Sequence, residues 1–234
     1  MKKLLILAAV LVPSLLWAQQ FWSFQDQAFV AAASTTSLPV PNIIAENFES
    51  GAAPSGWAND PGVGYWAFAS PALQGSYSVA ETNVSAAFVS LPIATNEVYI
   101  HFMYRTPSLP SQDNYIISLN NAAYSTKAYA AISTTGTLQL SDTTTYPTTV
   151  GTMSANTTYY IWIHYLKGTG ADGVLSGEFQ TTPVQVGSGN NFTNKTTATF
   201  ADDIGYIYIK SQYGGNTNIF DHFGVATFAM PNGW

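Results

Sequence analysis

Short runs in which polar and apolar residues alternate recur along the chain from residue 45 to its end. The clearest run, residues 159–167 (YYIWIHYLK), separates with period two into an apolar set and a set that contains a tryptophan and a histidine. Many such runs lie between turn signals, and none has the apolar repeat of an amphipathic helix. The pattern therefore predicts an all-β protein, an antiparallel β-sandwich of jelly-roll type.

The alternation also predicts which side chains of three long strands point into the core. The inward sets are Val98, Ile100, Phe102 and Tyr104; Ile161 and Ile163; and Ile207 and Ile209. Because neighbouring residues of a strand point to opposite faces, aromatic and polar residues occupy the other side. If the three strands are neighbours in one sheet, these residues form one exposed concave surface: His101, Arg105, Tyr160, Trp162, His164, Tyr206, Tyr208 and Lys210.

Two turn signals refine this outline. Ala171-Asp172-Gly173 lies between two predicted strands, and Asp-Gly indicates a tight hairpin. The Thr-rich residues 141–152 are predicted as a loop, on an exposed edge or turn.

The amino-terminal residues have the features of a secretory signal peptide. A basic pair, an apolar run and a small-residue exit at Ala18 follow one another. The predicted organisation is therefore a signal peptide at 1–18, an N-terminal segment and linker at 19–44, and one β-sandwich at 45–234. The apolar run is shorter than the roughly 20 residues that span a membrane. We expect a secreted protein with no membrane span once this segment is removed.

The charge and the missing cysteines exclude several classes of function. The formal net charge is −6, and it becomes more negative when Lys2 and Lys3 leave with the signal peptide. Nucleic-acid binding is not expected at such a balance. The chain has no cysteine, which excludes disulfides and thiolate metal sites. The hydrophobic core must then hold the fold together, and a hard cation such as calcium is the kind of metal that could help it.

The first strand of the predicted domain resembles that of a known superfamily. Residues 46–57 (ENFESGAAPSGW), followed by Gly64-Tyr65-Trp66, are similar to the opening of concanavalin-A-like jelly rolls in cleaved-adhesin, MAM-like and laminin-G-like domains. The order of the later strands is also similar, and the resemblance covers residues 46–228. It implies a concanavalin-A-like fold but leaves the function open, because that superfamily includes binding modules, adhesins, hydrolases and lyases.

The resemblance also implies a structural calcium that ties the first strand to the last. The acids at matching positions are Glu46 or Glu49, and Asp221. Calcium takes roughly six to eight oxygen ligands, so backbone carbonyls and waters would have to complete the shell. In the alternative interpretation, Glu49 is a solvated acid at a strand end and Asp221 caps a turn.

Catalytic signatures are absent or altered. The Glu-x-Asp-x-x-Glu strand of laminarinase-like hydrolases is missing, and Asp202 and Asp203 would point to opposite faces of a strand. The resemblance to alginate-lyase jelly rolls implies a different chemistry, with Arg105 on a uronate carboxylate and with His164 and a tyrosine, 206 or 208, as base and acid. The three matching segments each lack a residue of that family's motifs, at 105–107, 162–164 and 208–212.

The preferred hypothesis is a secreted, non-catalytic carbohydrate-binding or adhesion module that binds a polysaccharide or a cell-surface glycan. Sugar rings stack on aromatic side chains, and their hydroxyls pair with polar groups. The predicted contact residues are Arg105, Tyr160, Trp162, His164, Tyr206 and Tyr208. A polysaccharide lyase or hydrolase using the same cleft is one alternative, and a self-associating extracellular structural protein is another. A core role competes for each single aromatic, because a sandwich of this size buries several.

Overall fold

The computed structural model describes residues 41–55, 57–59, 66–69, 72–81, 87–89, 93–143, 147–169, 172–183, 193–197, 200–210 and 218–227. The predicted signal peptide and residues 19–40 of the predicted linker lie outside the described residues. Within the described residues, no helix is long and apolar enough to cross a membrane.

The regular structure of the described residues consists of β-strands, as their β-branched and aromatic content favours. The strands are β1 (Ile44–Glu46), β2 (Ala58–Asn59), β3 (Trp66–Ala69), β4 (Ser78–Glu81), β5 (Ala87–Val89), β6 (Glu97–Arg105), β7 (Asn114–Asn120), β8 (Thr126–Ile132), β9 (Thr137–Ser141), β10 (Thr148–Thr152), β11 (Tyr159–Leu166), β12 (Gly173–Gln180), β13 (Thr193–Thr197), β14 (Tyr206–Lys210) and β15 (Ile219–Ala226).

The strands form two antiparallel sheets. The first sheet has the order β13-β12-β11-β6-β15-β4-β3, and β1 also pairs with β15. The second sheet has the order β10-β9-β8-β7-β14-β5-β2. The predicted all-β, antiparallel jelly-roll sandwich is therefore confirmed.

The core lies between the inner faces of the two sheets. Ile100, Phe102 and Ile161 are completely buried there, and the three predicted inward sets all belong to this core. Each such side chain contributes about 1.5–3 kcal/mol through burial. A Cβ on Gly177 would lie 2.9 Å from the Leu140 side chain, so the glycine allows the two sheets to approach closely.

The two turn predictions are only partly right. β11 and β12 do form an antiparallel hairpin, but their connection spans residues 167–172 instead of a two-residue turn. Asp172 acts within this loop, where its Oδ1 accepts a hydrogen bond from Thr169 N at 2.7 Å. Residues 148–152, predicted as loop, form the edge strand β10, because they pair with β9.

Candidate functional site

The side chains of β12, β11, β6 and β15 that point away from the second sheet lie in rows across the strands. Residues opposite each other in antiparallel strands share a face, so the register defines each row. The first row is Gln180, Tyr160, Met103 and Asp221; the second is Glu178, Trp162, His101 and Gly224; the third is Ser176, His164, Tyr99 and Ala226. We call these rows, with Arg105, the outer face of the first sheet.

Four of the six predicted contact residues lie on this face. Tyr160, Trp162 and His164 follow one another along β11, and Arg105 lies at the end of β6, opposite Ile219. The other two, Tyr206 and Tyr208, belong to β14 in the second sheet. The prediction that all three strands adjoin in one sheet is therefore wrong, because β14 pairs with β7 and β5.

The predicted exposure of Trp162 is also wrong. Its side chain is 0% exposed and packs against Ala226 and Tyr99, with its ring 5.4 Å from that of His101. On the second sheet Tyr208 is buried as well, whereas Tyr206 is half-buried and stacks on Tyr124 at 4.3 Å.

His101 occupies the middle of the second row and is completely buried. Desolvation, with a smaller contribution from the charge of His222, lowers the pKa of His101 to about 3. The imidazole is therefore uncharged near neutral pH, and it can donate one hydrogen bond and accept another. Its ring stacks on that of Tyr160 at 6.4 Å.

His164 in the third row turns towards β6. Its ring lies 4.1 Å from that of Tyr99, almost parallel to it, and its Nε2 is 3.0 Å from Glu97 Oε1. Burial lowers the pKa of His164, and the Glu97 carboxylate opposes this shift in part. The side chain is thus fixed by two partners on the same strand.

β12 supplies polar residues that the sequence interpretation did not select. Gln180 Nε2 donates a hydrogen bond to Glu178 Oε1, and Glu178 is completely buried. Ser176 Oγ and Trp162 Nε1 are buried and have no hydrogen-bond partner in the part of the chain that the structure describes. The alternation in residues 173–180 (GVLSGEFQ) was the available signal, because it places the serine, the glutamate and the glutamine on one face.

The two acids of the predicted calcium site hold one loop. Glu49 accepts hydrogen bonds from the backbone of Ser76 and Tyr77, and Asp221 Oδ2 accepts them from Gln74 N and Ser78 Oγ. The described residues contain no group of three or more His, Cys, Asp or Glu that could hold a metal ion. These contacts do not complete a calcium shell, and calcium binding stays a prediction.

Asp202 and Asp203 lie outside the strands and form separate ion pairs. Lys127 Nζ is 2.9 Å from Asp202 Oδ2, and Lys167 Nζ is 3.0 Å from Asp203 Oδ1. The second pair lines an open cleft of about 460 Å³ together with Ala94, Thr95, Asn96 and Thr169. The predicted contact residues do not line this cleft.

Comparison with known proteins establishes the fold. No family model matches the chain, and no curated protein matches its sequence. Its structure resembles an endo-β-1,4-glucuronan lyase from the fungus Trichoderma reesei, with 11% identity, 82% of this chain and 98% of that chain covered, and a TM-score of 0.60. The cellulose induced protein Cip1 is similar at 16% identity, 79% and 97% coverage and a TM-score of 0.59. An alginate lyase, Aly36B, is similar at 12% identity, 81% and 100% coverage and a TM-score of 0.55.

At these identities the likeness shows a shared β-sandwich alone. It does not distinguish the cleaved-adhesin, MAM-like and laminin-G-like families from other sandwiches, so that finer assignment stays a prediction.

Proposed function

We propose that the protein binds a polysaccharide or a cell-surface glycan through the outer face of the first sheet and does not cleave it. The observation that carries this proposal is the arrangement of the three rows, in which aromatic rings and polar groups lie side by side on one sheet face. Tyr160 and His164, both half-buried, lie on either side of the closed Trp162. Rings accept the C–H faces of sugars, and polar groups bind their hydroxyls.

The named neighbours support a glycan as the ligand. Two of the similar structures are lyases, named for glucuronan and for alginate. Both share this sandwich over nearly their whole length. Because one fold supports several functions, the likeness supports the ligand class and leaves the reaction open.

The positions of the predicted catalytic groups favour binding over cleavage. The lyase site predicted from the sequence requires Arg105 and His164 to lie beside a tyrosine of β14. However, β14 belongs to the second sheet. His101, with a pKa of about 3, is a weak base near neutral pH. His164 is already held by Tyr99 and Glu97.

A polysaccharide lyase on the same face is the second candidate function. It is favoured by the register of β6 and β11, which makes Arg105 the diagonal neighbour of Tyr160. In that reaction Arg105 would neutralise a uronate carboxylate, and the Tyr160 hydroxyl would move a proton. The ring of His101 stacks on Tyr160 and would orient it.

Secretion and a structural calcium at Glu49 and Asp221 are part of the proposal. The signal sequence supports secretion, and the resemblance to concanavalin-A-like domains, with two acids near the paired first and last strands, supports calcium. Self-association as an extracellular structural protein is the remaining class. A molecular mass that rises with protein concentration would support that class.

The experiment is a glycan-array and polysaccharide pull-down screen of the chain without residues 1–18, with and without a calcium chelator. Ultraviolet absorbance of an unsaturated uronate product is followed in parallel. We expect binding without a rise in absorbance. A rise in absorbance would establish the lyase instead, and the absence of both signals would contradict a glycan function. Loss of binding with chelator would support the calcium site.

A further inference from the structure

We infer that Trp162 Nε1 and Ser176 Oγ form hydrogen bonds with hydroxyl groups of the bound sugar, and that this sugar belongs to an uncharged glycan and not to a polyuronate. The inference rests on the proposed function of the outer face. It goes further by naming two binding atoms and the chemical class of the ligand.

The first support is that both atoms are buried and unsatisfied. Trp162 is 0% and Ser176 is 1% exposed, and within the described residues neither the indole N–H nor the hydroxyl has a partner. Native proteins leave few buried polar groups unpaired, because losing hydration without a replacement bond is unfavourable. Two such atoms on adjacent strands of one face indicate a molecule that completes their hydrogen bonds.

The packing of β11 explains why these atoms lack partners. The ring of Trp162 lies 5.4 Å from that of His101, and the ring of His164 stacks on Tyr99. Both contacts are with β6, so the side chains of β11 lean towards that strand. Ser176 lies opposite His164 on β12, the strand from which these rings turn away.

The register places the two atoms within reach of one sugar ring. Ser176 and Trp162 are diagonal neighbours on adjacent strands, a relation that separates positions by about 7–8 Å. An indole N–H only donates, whereas a serine hydroxyl both donates and accepts. Neighbouring sugar hydroxyls can serve both groups. Since the two atoms are closed to solvent, binding includes a rearrangement of the half-buried Tyr160, as side chains at binding sites commonly show.

The charges of the face favour an uncharged sugar. Glu178 lies directly opposite Trp162, and Glu97 lies beside His164. Arg105 is the only Lys or Arg among the described outward side chains of β6, β11, β12 and β15, and it lies at a strand end. A carboxylate on the ligand would therefore meet acids beside the two unsatisfied atoms, whereas hydroxyl groups would find acceptors there.

The test compares two buried serines, one on each sheet. Ser176→Ala removes the unsatisfied hydroxyl. The control Ser118→Ala removes a satisfied one, because Ser118 Oγ donates to Asn120 Oδ1 at 2.6 Å. Affinity is measured by calorimetry with soluble cello-oligosaccharides, manno-oligosaccharides and alginate, and stability by thermal unfolding.

We expect one of the neutral oligosaccharides to bind more tightly than alginate. Ser176→Ala should weaken this binding roughly three- to tenfold and leave the unfolding midpoint unchanged or higher. Ser118→Ala should lower the midpoint and leave the affinity unchanged. Trp162→Phe, which removes the donor and keeps an aromatic ring, should also weaken binding.

Four results would overturn the inference. If Ser176→Ala lowers the midpoint and leaves the affinity unchanged, the hydroxyl serves the fold, for example through an internal water. Tighter binding of alginate would overturn the charge argument. If the wild-type protein binds none of the probes, the inference fails, and a glycan array without signal would show that the proposed function fails with it. If the wild-type protein binds a probe and neither Ser176→Ala nor Trp162→Phe weakens that binding, the inference fails and the proposed function stands.

Discussion

The outer faces of the two sheets are both rich in aromatic residues, but they differ in how far water reaches them. On the first sheet His101, Trp162 and Glu178 are all 0% exposed. In the turn between β7 and β8 of the second sheet, Tyr124 is 58% exposed and stacks on Tyr206, and the two hydroxyls are hydrogen-bonded at 3.1 Å. The first outer face is closed around these polar and aromatic groups, whereas the second is closed at Tyr208 and Ser118 and open at the stacked pair of Tyr124 and Tyr206.

The two sheets also differ in whether their buried polar atoms have hydrogen-bond partners. On the second sheet Ser118 bonds to Asn120, and Asn120 Nδ2 donates to the Tyr124 carbonyl at 2.8 Å. On the first sheet the buried Trp162 and Ser176 each leave a polar atom without a partner in the described part of the chain. Exposed aromatics are ordinary on a protein surface, whereas buried unsatisfied atoms call for an explanation. This contrast adds a second reason to assign glycan binding to the first sheet, beside the arrangement of its three rows.

The largest expected effect is a difference between the two sheets in the free energy of unfolding that is lost when an outer aromatic residue is removed. Trp162→Ala empties a completely buried site and should lower the free energy of unfolding by about 3–5 kcal/mol. Tyr124→Ala, at a mostly exposed site, should lower it by less than about 1 kcal/mol. Urea denaturation of both variants provides the measurement. Equal losses would show that the first outer face is not closed in solution.

The next effect is a pH dependence that belongs to the first face. The pKa of His101 is about 3 in the folded chain, whereas its ordinary value, expected in the unfolded chain, is 6.5. As the pH falls, the unfolded chain therefore binds the proton before the folded chain does. Stability should be complete above about pH 6.5 and fall towards pH 3, by up to about 1.4 kcal/mol for each pH unit. His164, whose pKa is also lowered, acts in the same direction.

Urea midpoints of the wild type and of His101→Gln, measured from about neutral pH down to about pH 4, test this dependence. The variant should lose most of the slope in this window. An unchanged slope would mean that other groups cause the acid sensitivity.

The smallest expected effect belongs to the stacked pair of Tyr124 and Tyr206. The hydrogen bond between the hydroxyls of Tyr124 and Tyr206 is the main cause that raises the pKa of Tyr206. Tyr124→Phe should therefore lower the pKa of Tyr206 towards its ordinary value of 10 and leave the urea midpoint within experimental error. Ultraviolet titration of the tyrosines measures the first quantity. A clear loss of stability would show that the tyrosine pair supports the fold.

The sequence predicted correctly what is local to a strand. Ile161 and Ile163 of β11, and Ile207 and Ile209 of β14, all lie in the core as the alternation predicts. Neighbouring side chains of a strand must point to opposite faces, so this result requires no knowledge of the rest of the fold. The same rule would have selected Ser176 and Glu178 from the alternation of β12.

The sequence could not predict which strands adjoin or how deeply an outer face is buried. β14 pairs with β7, and its place in the second sheet depends on contacts between distant parts of the chain. The pattern alone therefore predicts the wrong surface for Tyr206 and Tyr208. The alternation separates Trp162 from Ile161 and Ile163, but Trp162 is as completely buried as these two core residues. Alternation reports a change of face and not exposure to water.

The most direct test of the central claim, that glycan binding belongs to the first sheet, is the affinity of two matched tyrosine variants. Tyr160 and Tyr206 are both half-buried and lie on the outer faces of opposite sheets. With the neutral oligosaccharides in calorimetry, Tyr160→Ala should weaken binding about three- to tenfold, and Tyr206→Ala should leave it unchanged. Weakened binding in Tyr206→Ala together with unchanged binding in Tyr160→Ala would contradict the account.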